Sequence, residues 1–235
     1  MAKQDRAVRT RRIFLEAAAE VFNEYGYDAA SISVILERTQ LTRGALYFHF
    51  TSKETLAQGV LDEAVTTQGF APQAYKVQEW IDLALLLAYR LPREPLLSAS
   101  IRLSIDPKAR SLFGTRWPDW IQLSTDLLVA AKERGELQPH ADPATIARLF
   151  VGAWTGVQLV SSSLPQEQDL VGEVTELFAL VLPGIIVPGV LAKLDISPHR
   201  PERLLADSSA SQDAGPAGPG ATGYSARDGS PVREG

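Results

Sequence analysis

The stretch Thr42-Arg43-Gly44-Ala45-Leu46-Tyr47-Phe48-His49-Phe50 decides how this chain is read. It follows an amphipathic helix and runs directly into Thr51-Ser52-Lys53-Glu54, the start of another helix. A short element carrying a cation, a glycine and an exposed phenol between two helices suits the major groove of DNA. In a helix-turn-helix the second helix enters that groove with its first residues at the base edges. Here those residues are Thr42, Arg43 and Gly44. Arg43 can fork to guanine O6 and N7, and the missing side chain of Gly44 lets the backbone approach closely. Tyr47, one turn on, reaches a phosphate or a base through its hydroxyl. Lys53 stands in the first turn of the next helix, where a cation opposes the helix dipole unless a phosphate joins it. Arg9, Arg11 and Arg12 are candidates for backbone contacts. His49 either touches a phosphate or packs, and Leu46, Phe48 and Phe50 are assigned to the core.

Outward from this stretch the chain reads as helices. Ile13, Ala17, Ala18, Val21 and Phe22 recur at helical spacing from about Arg6 to Tyr25, with Gly26 as the stop. Ser31 offers an N-cap for a second helix, with Ile32, Ile35 and Leu36 inward. The third helix runs from about Thr42 to Phe48. The fourth runs from Ser52 to about Gln68, opened by a Thr51/Glu54 capping box. Gly69 to Ala74, with Pro72, breaks the chain. Further helices follow over Val77–Leu91, over Leu96–Ile105, and on the face bearing Trp120, Ser124, Leu127, Leu128 and Ala131. Asp142-Pro143 opens another to about Ser163, and a last spans Gln166–Leu182. The fold expected is all-α: a helix-turn-helix head over residues 1–53 and a helical body over 54–205 for ligand binding and dimerisation. The helix from about 52 to 68 links the two. Beyond Leu205 the composition turns to Ser, Ala, Gly, Pro and Asp, and residues 206–235 read as a disordered tail.

Composition narrows the function. The chain has 235 residues, 45% of them hydrophobic, and no cysteine, which excludes disulfides and thiolate metal sites. The three histidines are scattered without metal spacing, and nothing calls for a cofactor. The absence of an apolar run near membrane-spanning length leaves a soluble protein with no membrane partner, cytoplasmic in the simplest reading. The net charge is −5, yet residues 1–53 carry eight Lys/Arg against six Asp/Glu, leaving −7 for the remainder. A mildly basic head on an acidic body fits a DNA-binding module joined to something else. No phosphate-binding glycine loop and no nucleophile elbow is present, so an enzyme is the weaker reading.

The chain resembles the TetR family of bacterial repressors, and within it the γ-butyrolactone receptors of actinomycetes. The resemblance is carried by Arg6-Ala7-Val8-Arg9-Thr10-Arg11, by Gly44 to Phe50, and by Ser52-Lys53-Glu54 with Leu56-Ala57-Gln58. In the body it rests on Asp119-Trp120, Lys132-Glu133-Arg134-Gly135-Glu136-Leu137 and Thr155-Gly156-Val157-Gln158. It implies a homodimer that represses near-palindromic promoters of antibiotic regulation and lets go when a small lactone binds. An alternative is a related pseudo-receptor answering an antibiotic or biosynthetic intermediate. Two departures stand out: Gln40-Leu41 where the family usually has Gly-Val at the turn, and Ser31-Ile32-Ser33-Val34 where it often has Thr-x-x-Glu.

The body needs a mostly apolar pocket with a few polar groups. Trp120 can stack on a ring, and Thr155 and Gln158 share a face with Ser162 on an otherwise apolar helix. The resemblance points to Trp120 as the pocket tryptophan and to Thr155 and Gln58 as polar contacts. Gln58 lies on the helix that carries Lys53, so a ligand pulling on it would pivot that helix. Dimerisation falls to the helices over about Pro143–Ser163 and Gln166–Leu182, whose apolar surface exceeds one buried face.

Overall fold

In the computed structural model, residues 2–63, 70–164 and 169–213 are described, and they form helices joined by short turns. Among the described residues there is no strand, only an isolated antiparallel bridge between Leu137 and Ile186. No described helix is long and apolar enough to cross a membrane. The all-α expectation holds.

The head begins with α1 (Ala2–Ala29), which bends at Gly26, where φ is 75°. That value favours glycine, so the expected stop lies where the sequence put it. Next come α2 (Ile32–Glu37), α3 (Arg43–His49) and α4 (Lys53–Glu63). Ser31 caps α2 by accepting from the Val34 amide, and Thr42 caps α3 by accepting from Ala45. Gln40 carries no strain, because no described residue other than glycine has a positive φ. Thr39 holds the turn instead, its hydroxyl donating to Leu36 O at 3.1 Å and accepting from Leu41 N at 3.4 Å. The capping box of α4 lies one residue later than expected. Ser52 N donates to Thr55 Oγ1 at 3.1 Å and Thr55 N to Ser52 Oγ at 3.3 Å, which frees Glu54 for another partner. The expected continuation of this helix to Gln68 falls outside the described residues.

Phe14, Phe22, Ile35, Leu46, Leu56 and Leu61 close the head's core, joined by Ala99 and Leu103 of α6 (Pro95–Ile105) and Ala109 of α7 (Pro107–Phe113). Gly59 lets α4 lie against α1, since a Cβ there would stand 2.8 Å from Leu15 Cδ2 and 3.1 Å from the Phe50 ring.

The body's core is centred on α5 (Lys76–Arg90), apolar around most of its circumference. Trp80 packs against Phe150 and Phe178, ring centroids 4.6 and 5.2 Å away. The start of α5 lacks a side-chain cap of its own. Glu136, buried, accepts from the Lys76 and Val77 amides at 3.1 and 2.9 Å and neutralises that helix end. Around α5 lie α8 (Trp117–Glu133), α9 (Pro143–Ser161) and α10 (Leu170–Ile185). Asp142 and Asp169 cap the last two. Pro183 does not end α10: within the final turn it deprives the helix of only one donor. A short α11 (Pro188–Leu191) follows.

The body does not stop at Leu205. Residues 200–213 form α12 (Arg200–Asp213), so the expected start of the tail at 206 lies inside a helix, and residues 214–235 fall outside the described ones. Arg200 donates to buried Asp82 of α5, one contact at 2.8 Å, and Asp195 takes both Arg200 at 3.2 Å and Arg203 at 2.5 Å.

Candidate DNA-reading face and ligand cavity

On α3, Leu46 is fully buried and Phe50 nearly so, which turns Arg43, Gly44 and Tyr47 to solvent on the opposite side. The Arg43 guanidinium lies 5.8 Å from the Tyr47 ring centroid. Beside Gly44 the nearest atom to an added Cβ would be Thr42 Oγ1 at 4.0 Å, so the surface is open there. Thr42 uses its hydroxyl as the helix cap, and the hydroxyl stays at the solvent side. Phe48 departs from its core assignment: it is 79% exposed, because α3 is only seven residues long and buries a single turn. His49 is half-buried among aromatic rings, with Phe48 edge-on at 5.0 Å and Phe14 at 6.3 Å. Arg9 is exposed.

Two expected phosphate ligands have other work. Lys53 Nζ donates to the carbonyls of Tyr27, Ala30 and Asp28 at 2.8, 3.0 and 3.4 Å and lies 4.4 Å from the Tyr27 ring centroid. The cation therefore satisfies the carbonyl end of α1, where the dipole welcomes it, instead of opposing the start of α4. Tyr27 in turn donates to Glu54 at 3.2 Å. Burial, reinforced by the Glu54 carboxylate, pushes its phenol up to about 12. Arg11 reaches Glu63 at 2.8 Å and lies 5.4 Å from the Phe50 ring centroid, which fastens α1 to the last described turn of α4.

The body holds a cavity lined by all four tryptophans, Trp80, Trp117, Trp120 and Trp154, with Leu83, Leu87 and Phe150. Ser100, Ser124 and Thr155 are its polar wall. Its atom-free space is about 590 Å³, part of it open to solvent. Trp120 and Thr155 both lie in this wall. The Thr155 hydroxyl donates to its own helix at Val151 O, 2.8 Å away, and keeps its lone pairs for a donor. Gln58 and Gln158 are not brought to the wall. Gln58 turns to Asp62 at 2.8 Å on its own helix, and Gln158 lies one helical turn past Thr155 with a buried Oε1 that has no hydrogen-bond partner among the described residues. Trp117 was missed: standing three residues before Trp120, it shares that residue's helix face, a signal the sequence did contain.

The cavity and the head meet at Arg116, immediately before Trp117. Its guanidinium donates to Leu61 O at 3.2 Å and to Asp62, both in the last described turn of α4, and lies 3.5 Å from Asp119. Among the described residues no group of acidic or histidine side chains could hold a metal ion.

Leu149 and Val160 of α9 and Leu180 of α10 are 58, 61 and 82% exposed. Gly152 and Gly156, one turn apart on α9, have open space beside them.

Comparison with known proteins agrees with this architecture. The family described as "Bacterial regulatory proteins, tetR family" matches residues 14–60, from the middle of α1 to α4. The A-factor receptor protein of Streptomyces griseus is 43% identical over 195 residues, which is 83% of this chain and 70% of that one. The structure of TylP, a TetR regulator from Streptomyces fradiae, superposes with a TM-score of 0.75 at 40% identity, covering 88% of this chain and 93% of that one. A γ-butyrolactone receptor described as ArpA-like shares the fold, with a TM-score of 0.63 at 21% identity over 89% of this chain and 99% of that one.

Proposed function

Because this chain belongs to the TetR family of bacterial transcriptional regulators, we propose that it is a homodimeric repressor of secondary-metabolite genes, released from near-palindromic operator DNA by a γ-butyrolactone-type signal. The observation that carries the reading is the hitch between cavity and head. Trp117 and Trp120 wall the cavity at the start of α8, and Arg116, the preceding residue, grips the last described turn of α4. A ligand acts on such an equilibrium only through its different affinity for the two arrangements. A lactone with an acyl chain entering this cavity presses against its aromatic walls. Moving the start of α8 then draws Arg116, and with it α4, away from the arrangement that sets the two heads one helical turn of DNA apart, about 34–36 Å. Thr155, Ser100 and Ser124 supply the few polar contacts a lactone carbonyl and hydroxyl require. Arg43, Gly44 and Tyr47 read the groove, with Thr42 and His49 beside them and Arg9 on the backbone. The receptor reading draws on the A-factor receptor protein, and the lactone class on the resemblance of the sequence to the γ-butyrolactone receptors.

The test is a mobility-shift titration on near-palindromic DNA from the chain's own promoter region, with and without purified γ-butyrolactones. Tight binding that lactone releases is the expected result. Tight binding that persists with lactone but yields to an antibiotic intermediate would move the ligand to that class. No binding to any such DNA would remove the repressor reading.

A further inference from the structure

Among the described residues Phe48 is 79% exposed, exceeded among the exposed large apolar side chains by Leu180 alone, and the ring beside it is that of His49, at 5.0 Å and nearly perpendicular. It stands four residues after Gly44 and next to Tyr47, so it shares the open face of α3 while Leu46 anchors the other side. Leaving a phenyl ring in water forgoes the favourable transfer that burial of a phenylalanine brings. The ring also has no donor or acceptor, so it can bond neither a phosphate nor a polar base edge. In the major groove one group matches it, the C5-methyl of thymine. Gly44, one turn before Phe48 on the same side of α3, brings the ring there, since its bare Cα lets the helix sit deep.

We propose that Phe48 is a specificity residue, reading the methyl group of one thymine in each operator half-site. The proposal rests on the operator-binding reading above and adds a named chemical group to it. The guanine fork of Arg43 and the methyl contact of Phe48 would then specify different base pairs of the same half-site.

The experiment separates the two layers. The full chain first selects its site from a pool of random-sequence DNA duplexes. Each thymine of the selected site is then replaced, one at a time, by deoxyuridine, which removes only the methyl group. Wild type is expected to lose about fourfold in affinity at one thymine per half-site, the worth of about one buried methylene, and about fifteenfold when both symmetry-related positions are changed. Phe48→Ala is expected to bind the thymine site more weakly and to be indifferent to that replacement. Phe48→Leu should keep part of the sensitivity. Arg43→Ala should keep all of it while losing preference at a guanine. The exposed position makes a folding defect easy to exclude, since the variant's thermal unfolding should match wild type. If Phe48→Ala retains wild-type affinity, or weakens binding with the same deoxyuridine profile as wild type, the methyl assignment is overturned and the operator reading survives. If a folded chain selects no sequence at all, both fall.

Discussion

Replacing Lys53 with methionine removes three hydrogen bonds from an ammonium to the end of α1. Bonds from charged donors contribute about 1.5–3 kcal/mol each at most when counted singly, and these share one cation, so a loss of about 2 kcal/mol is expected in urea denaturation. The same variant should leave the salt dependence of operator binding unchanged. A phosphate-bound lysine would instead lower that slope by about 0.9 per head, and such a drop would return Lys53 to the DNA surface. Tyr27, beneath it, makes a prediction about pH. Its phenol ionises near 10 in the unfolded chain and at about 12 when folded, because burial first and Glu54 second disfavour the phenolate. The stability it contributes is therefore complete below pH 10 and lost as the pH rises through about 12. Ultraviolet titration of the tyrosines should show a late component that Tyr27→Phe abolishes, and the variant's stability should fall less between pH 10 and 12. Neither role was legible in the sequence. Lys53 and Tyr27 stand 26 positions apart, and a cation near a helix start looks the same whichever acceptor it finds.

At the scale of the helix, local chemistry was legible and distant chemistry was not. Ser31, Thr42, Asp142 and the Gly26 stop announced their ends because a cap and its amide lie within three residues. α12 gave no such signal: its apolar content is low, and its attachment to the body is a charge pair spanning 118 positions. Phe48 misled for a related reason, since an aromatic pattern on a seven-residue helix cannot say which single turn is buried. Trp120 and Thr155, pointed to by the family resemblance, line the cavity, whereas the shared helix face that grouped Gln158 with Thr155 did not bring Gln158 to the wall. α8 offers the test of transmission. Trp120→Ala should leave operator affinity within about twofold and raise the lactone needed for release by at least about tenfold, as expected for losing an aromatic contact worth 1.5–3 kcal/mol. Arg116→Gln, which keeps the cavity but loosens the grip on α4, should still quench tryptophan fluorescence on adding lactone while releasing DNA poorly. Equal loss of quenching and release in Arg116→Gln would deny it a relay role.

For the whole molecule, the proposed homodimer places its interface on the exposed apolar side chains of α9 and α10. Leu180→Glu places a charge at its most exposed leucine, and sedimentation should find the variant at the mass of one chain, 25.5 kDa, with operator affinity reduced at least about 100-fold. A dimer that survives this change would put the interface elsewhere. Head and body are also knit together, because Ala99 and Leu103 of the body's α6 complete the head's core. The pairing of Asp82 with Arg200 carries a different consequence, for descent instead of mechanism. Asp82 is 1% exposed, so removing Arg200 alone leaves its carboxylate in the interior without a counter-charge, at about 3–5 kcal/mol, a large fraction of a typical domain's stability. Removing Asp82 first strands nothing comparable, because Arg200 keeps Asp195 at 3.2 Å. A lineage could therefore dissolve this pairing cheaply in one order only, carboxylate before guanidinium, which gives the attachment of α12 to α5 a direction in descent.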